Sequence, residues 1–215
     1  MNVFVLNHQN SIANQFLLEL RDQKIQQDRM RFRKNLMRLG EVMAYEISKK
    51  LSYKRKEIQT SLTNISIPTI SQSPVIITVL RAGLPYFQGF LNYFDQSDSG
   101  FIGAYRKEGG NEIEIQLDYL AAPSLEGREV ILVDPMLATG NSFVRSISAL
   151  MKLGQPSHIF LAAMIASPEG IEIIQKKVTT PSSLWIVSID EKLDQNFYIV
   201  PGLGDAGDLS FGQKL

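Results

Sequence analysis

A chain of 215 residues, 44% hydrophobic and 20% charged, has the length and composition to bury one sizeable core, and it is read as a single domain over 1–215. Its 22 basic residues balance 22 acidic ones, so the net charge advertises no general affinity for nucleic acid or a membrane surface. The absence of cysteine excludes disulfides, thiolate catalysis and zinc–thiolate sites.

The opening MNVFVLNHQNSI carries a short apolar run, too short for the core of a signal peptide and with no basic segment before it. No later run approaches the length of a membrane span, so a cytoplasmic location is expected. Residues 22–51 read as one long amphipathic helix, with Ile25, Phe32, Leu36, Leu39, Met43 and Ile47 at helical spacing. Its other face carries Arg29, Arg31, Arg33, Lys34 and Arg38 and reads as a solvated face or an oligomer contact before a nucleic-acid site.

Alternation of strands and helices follows. PVIITVL (74–80) is an apolar strand, LPYFQGFLNYF (84–94) a helix and FIGAYRK (101–107) a second strand. EGGN (108–111) supplies turn chemistry, and the alternation in EIEIQLDYL (112–120) predicts the return arm of a half-exposed antiparallel hairpin. Then come strand 129–134, helix 142–153, strand 158–166, helix 168–177 and strand 184–190. Near-continuous apolar strands with helical crossovers predict a mostly parallel sheet covered on both faces. Ligands in such sheets bind at the carboxyl ends of strands. The loops to read are therefore 81–84, 106–111, 134–142 and the segment after 190.

The loop 134–142 is the most informative. Ala138, Thr139, Gly140, Asn141 and Ser142 stand where a helix begins, and free backbone N–H groups there favour an anion. Asp134 repels phosphate but suits a sugar diol. A carboxylate followed by a phosphate cradle matches a ribose 5-phosphate. The plainer alternative makes Ser142 an N-cap and Asp134 a turn residue. GLGDAG (202–207) satisfies the dinucleotide pattern G-x-G-x-x-G, but only eight residues follow it, too few for the helix and strand that pattern requires. His8 and His158 are isolated and lack metal-ligand spacing.

VDPMLATGNS (133–142) resembles the phosphoribosyl pyrophosphate loop of uracil phosphoribosyltransferases, and YIVPGLGDAGD (198–208) resembles that family's uracil-recognition segment. LRAG (80–83), YRKE (105–108), RMRFRKNLMRLGEVMAYE (29–46) and SPEGIE (167–172) match in the same order. Two positions depart from the pattern, Asn141 where the family usually has Gly and Leu209 where it usually has a basic residue.

The resemblance implies an α/β fold of the type I phosphoribosyltransferase kind: a mostly parallel sheet flanked by helices, an N-terminal helical segment and a protruding β-hairpin arm. It implies transfer of a phosphoribosyl group to uracil, giving UMP and pyrophosphate in pyrimidine salvage. The donor would be held by Arg81, Arg106, Asp134, Pro135, Met136, Leu137, Ala138, Thr139, Gly140, Asn141, Ser142 and Asp205. Uracil would be read by backbone groups of Ile199, Gly204 and Ala206 beside Asp205. Arg106 and Asp205 are the expected catalytic residues, with 107–111 as a lid over the donor. Asp205 either organises Mg²⁺-bound water or helps uracil N1 lose its proton; both roles stay open. Mg²⁺ is expected to arrive with the pyrophosphate and not in a dedicated protein cage. A homodimer or higher homo-oligomer is expected, GTP is an effector to be tested, and neither nucleic acid nor membrane is an expected partner. The rival readings are an RNA-binding pyrimidine regulator, a relative using a purine base, and a donor sensor without turnover.

Overall fold

The computed structural model describes the backbone of residues 1–107 and 114–214, and the side chains of all of these except 104–107 and 114–117. The turn expected at 108–111 lies outside the described residues.

The amino-terminal third departs most from expectation. A short strand, β1 (Asn2–Val5), precedes a helix, α1 (Ile12–Arg21), and only then comes α2 (Arg29–Ser48). The single helix expected over 22–51 is interrupted because two aspartates offer the backbone other partners. Asp22 accepts the N–H groups of Lys24 and Ile25 at 2.8 and 3.1 Å, and Asp28 caps α2 by accepting the N–H of Arg31 at 3.0 Å. From Phe32 onward the expected apolar face is correct, and Phe32, Leu36, Leu39, Met43 and Ile47 are buried.

A hairpin that the sequence reading did not anticipate follows, with β2 (Tyr53–Gln59) antiparallel to β3 (Asn64–Ile70). It forms a sheet of its own and is exposed along almost its whole length. Ile65 and Ile67 alternate with Ser66 and Pro68, but both are exposed, so the alternation marks no buried face, and Pro68 argues against a strand.

The remaining elements fall close to their expected bounds, except for one added two-residue strand, β8, inside the segment read as a loop: β4 (Val75–Leu80), α3 (Leu84–Leu91), β5 (Ser99–Lys107), β6 (Glu114–Ala121), β7 (Glu129–Val133), the unforeseen β8 (Met136–Leu137), α4 (Asn141–Leu150), β9 (His158–Ala166), α5 (Pro168–Lys177) and β10 (Ser182–Ile189). Two short strands, β11 (Lys192–Leu193) and β12 (Ile199–Val200), and a short helix, α6 (Ala206–Phe211), complete the chain. The main sheet has the order β1-β10-β9-β7-β4-β5-β6, and β8 adds to β9. All its pairings are parallel except β5 with β6, which run antiparallel as the alternation predicts.

Both faces of the sheet are covered. Ile76, Ile131, Phe160 and Trp185 point to the side of α2 and α3, while Ile77, Leu132, Leu161 and Ile186 point to the side of α4. Successive residues of a strand face opposite ways, which is why these runs are nearly continuous in apolar residues. Helices α2 and α3 cross closely enough that a Cβ on Gly40 would lie 2.2 Å from the Tyr86 carbonyl oxygen, and one on Gly89 would lie 2.1 Å from that of Met37. Among the described residues, no helix is long and apolar enough to cross a membrane.

Candidate active site

Strand β7 runs buried to Val133 and delivers Asp134 to the carboxyl edge of the sheet, where the residue is 8% exposed. Its Oδ1 accepts the N–H of Met136 at 3.1 Å, and the Ser142 hydroxyl donates to its Oδ2 at 3.4 Å. The chain then steps sideways to pair as β8 with β9, and the Pro135 carbonyl accepts the N–H groups of Met164 and Ile165 at 3.0 and 3.1 Å. Pro135 is buried and Leu137 lies in the core, so these residues anchor the loop from below.

Helix α4 starts one residue before the expected position, with Gly140 as its N-cap at φ 74°. Glycine tolerates this left-handed backbone, and as a cap it brings no side chain to occupy the N–H groups of the first turn. Ser142 is therefore not the cap; its hydroxyl goes to Asp134. Thr139 accepts the Asn141 N–H on Oγ1 at 3.4 Å. The loop is braced from behind by α5: Ser167 donates its hydroxyl to the Ala138 carbonyl at 2.7 Å, and a Cβ on Gly170 would lie 2.2 Å from that same oxygen. The segment SPEGIE thus supports the phosphate-type loop.

The second loop, 81–83, begins at a cis peptide bond between Leu80 and Arg81. Gly83 is wedged beside the Val133 carbonyl, one residue before Asp134; a Cβ there would lie 3.2 Å from that oxygen and 2.2 Å from the Thr78 hydroxyl. The Arg81 guanidinium turns toward the third loop, where Nη2 donates to Asp208 Oδ1 at 3.1 Å and to the Gly212 carbonyl at 3.3 Å.

That third loop, 199–208, passes through a cis Val200–Pro201 bond and two glycines of positive φ, Gly202 and Gly204. Asp205 caps α6 by accepting the Asp208 N–H on Oδ1 at 2.9 Å, and a Cβ on Gly207 would lie 3.9 Å from Ala82 Cβ. Ile199 and Ala206 are buried, whereas Gly204 and Asp205 are exposed. Leu209 packs against the core on the α2 side, so at this position an apolar contact replaces the basic group usual in the family. The three loops therefore meet at one edge of the sheet, with 81–83 between Val133 and Gly207.

Arg106 lies on β5 opposite Ile115, but its side chain and the expected lid at 107–111, beyond the backbone of Lys107, fall outside the described residues.

Two residues of this edge were missed in the sequence. Asp190, 7% exposed, follows β10 as Asp134 follows β7, and it accepts two hydrogen bonds from Arg21 of α1, at 2.8 and 2.5 Å. Both residues also bind the Gly202 peptide. The available signal was the shared pattern of an apolar strand ending on aspartate.

The basic face of α2 is largely engaged within the fold. Arg31 forms a double hydrogen bond with Glu19 at 2.8 and 2.7 Å, Arg33 donates to the Ser210 carbonyl at 2.7 Å, and Arg38 lies over the Phe16 ring. The Arg31 guanidinium, followed by the Asn35 amide, lowers the Glu19 carboxyl to a pKa of about 2. The sequence predicts a solvated face or an oligomer contact here, whereas Arg31, Arg33 and Arg38 are engaged within the fold.

The described elements form an α/β protein with a mostly parallel sheet covered by helices on both faces. A family model described as uracil phosphoribosyltransferase matches residues 7–213, and the chain belongs to that family. It is 44% identical to a uracil phosphoribosyltransferase of Porphyromonas gingivalis over 216 aligned positions, covering 100% of both chains. It is 35% identical to one of Thermococcus gammatolerans, covering 94% of this chain and 89% of that one. Among solved structures, the AQ2163 protein of Aquifex aeolicus superimposes with a TM-score of 0.87 at 29% identity, covering 98% of each chain.

Proposed function

We propose that this protein transfers the 5-phosphoribosyl group of phosphoribosyl pyrophosphate to uracil, forming UMP and pyrophosphate in pyrimidine salvage. The observation that carries the reading is the meeting of loops 81–83, 134–142 and 199–208 at one sheet edge in a chain that matches the uracil phosphoribosyltransferase family over 7–213.

In this reading the first turn of α4, with Thr139, Asn141 and Ser142, cradles the 5′-phosphate, and Asp134 accepts hydrogen bonds from the ribose hydroxyls. Arg81 turns from Asp208 to the pyrophosphate, where its planar fork neutralises charge as the leaving group departs. Arg106, on β5 beside β4, is assigned to the same group. Backbone groups of Ile199, Gly204 and Ala206 read the edge of uracil, and a loop of fixed carbonyls and N–H groups rejects a base that leaves one of them unpaired. Holding donor and base together at C1′ supplies much of the acceleration.

Asp205 has its Oδ1 occupied in capping α6 and stands exposed at the site, which suits a carboxylate receiving metal-bound water or a proton. Mg²⁺ is proposed to be carried in by the donor and not held in a dedicated protein cage. Mg²⁺ on the pyrophosphate would offset the charge of the leaving group. The protein is further proposed to act as a single domain in the cytoplasm and as a homo-oligomer, with GTP as an effector to be tried.

The test is UMP formation by purified protein with uracil, phosphoribosyl pyrophosphate and Mg²⁺, with and without GTP. UMP from uracil, with no product from cytosine or hypoxanthine, is the expected result. Tight donor binding with no UMP in either condition would overturn the enzyme reading.

A further inference from the structure

Glycine 202 is held on both sides of its own backbone. Its N–H donates to Asp190 Oδ2 at 2.9 Å, and its carbonyl accepts from Arg21 Nη1 at 2.9 Å. The same Nη1 donates to Asp190 Oδ2 at 2.8 Å, while Nη2 donates to Asp190 Oδ1 at 2.5 Å and to the Ser188 hydroxyl at 3.1 Å. Asn7 donates to that hydroxyl at 3.1 Å. The Asp190 side chain is 2% exposed and that of Arg21 22%. A Cβ on Gly202 would lie 2.0 Å from the Ile199 carbonyl oxygen, so the turn is drawn tight at the point where it is held.

We infer that Arg21 and Asp190 are positioning residues for base recognition: they clamp the Gly202 peptide and thereby fix the groups of Ile199 and Gly204 that read uracil. The inference rests on the reading of 199–206 as the base-recognition segment. The clamp draws on three separate parts of the fold. Asp190 is carried to the edge by β10, Arg21 closes α1 from outside the sheet, and Gly202 belongs to the loop itself. Ile199 and Val200 are paired with β11, but Gly202 and Gly204 beyond them lie at positive φ outside that pairing, and the clamp falls on the first of these glycines. A planar guanidinium supplies the rigidity, because it can serve a carboxylate and a carbonyl at once in fixed geometry. A lysine ammonium keeps the charge but loses the fork. Neither Arg21 nor Asp190 is assigned a contact with the donor, so their effect should fall on the base.

The experiment compares wild type with Arg21→Lys and Asp190→Asn by two independent readouts. The first is amide hydrogen exchange without ligand. The clamp requires faster exchange in 199–206 and unchanged exchange in 138–144; equal protection in both segments would overturn it. The second is steady-state kinetics with uracil and donor varied separately. The expected result is a 10- to 100-fold rise in KM for uracil, with KM for the donor and kcat changed less than about 3-fold. Equal rises in both KM values would mark a general loss of structure and also overturn the inference. If exchange rises in 199–206 but KM for uracil is unmoved, the loop is clamped without reading the base, and the positioning role fails. A wild type that makes no UMP would sink the reading of the site, while hydrogen exchange would still judge the clamp.

Discussion

Ser142 donates its hydroxyl to Asp134 at 3.4 Å, across the eight residues that separate the end of β7 from the first turn of α4. The expected sugar-binding carboxylate and the expected phosphate loop are thus joined by a hydrogen bond. Asp134→Asn retains the size of the side chain and removes its charge. Hydrogen bonds to a charged acceptor contribute about 1.5–3 kcal/mol, so donor affinity should fall by about 10- to 100-fold. Titration of donor into the two proteins by calorimetry checks this, and equal affinities would remove Asp134 from the site.

Gly170 lies behind the loop and is assigned no contact with ligand. Because a Cβ there would lie 2.2 Å from the Ala138 carbonyl, Gly170→Ala should push 138–140 forward. The expected outcome is weaker donor binding with KM for uracil nearly unchanged, read from the two KM values. An unaffected donor KM would mean that the loop yields without consequence.

Arg81 pairs with Asp208 at 3.1 Å, with its side chain 44% exposed. Pairs at such exposure are worth about 0–1 kcal/mol, so Arg81→Ala should leave thermal stability almost unchanged. If Arg81 clamps pyrophosphate, the same variant should raise KM for the donor by at least 10-fold. A large fall in Tm with unchanged kinetics would make the residue structural.

Glu19 has a pKa of about 2 in the fold against an ordinary 4.5, first through Arg31 and then through Asn35, which is 1% exposed. A lowered carboxylate pKa stabilises the folded state above the ordinary value, and that contribution disappears as pH falls through the folded one. Glu19→Ala also takes an acceptor from the buried Asn35 amide, at a cost of about 1–3 kcal/mol. The Tm difference between wild type and variant should therefore be largest above pH 4.5 and shrink between pH 4.5 and 2. A difference that stays constant across this range would exclude the ion pair as its source.

The parts of this fold legible in the sequence are those in which each residue reports its own burial. The strands at 75–80, 129–133 and 158–166 are almost continuously apolar because both faces are covered. Thr139, Gly140 and Asn141 mark a helix start because the backbone needs them there. The misses share another cause. The strand Asn2–Val5 is four residues long and gains its place only by pairing with β10, and Phe4 stacks on Trp185 at a centroid distance of 4.1 Å. The hairpin 53–70 buries almost nothing. The break between α1 and α2 depends on whether Asp22 and Asp28 bind backbone locally, which helical spacing does not report. Arg21 and Asp190 are 169 positions apart, and no local pattern joins them.

The bond from Arg21 to the Gly202 carbonyl spans 181 positions. During synthesis the guanidinium leaves the ribosome long before its acceptor exists, and β1 likewise waits for β10. At a rate of roughly 5–20 residues per second, this interval is on the order of 10–40 seconds. The bonds that hold the loop around Gly202 are thus among the last that the chain can make, after every residue that braces the loop 134–142 has been synthesised.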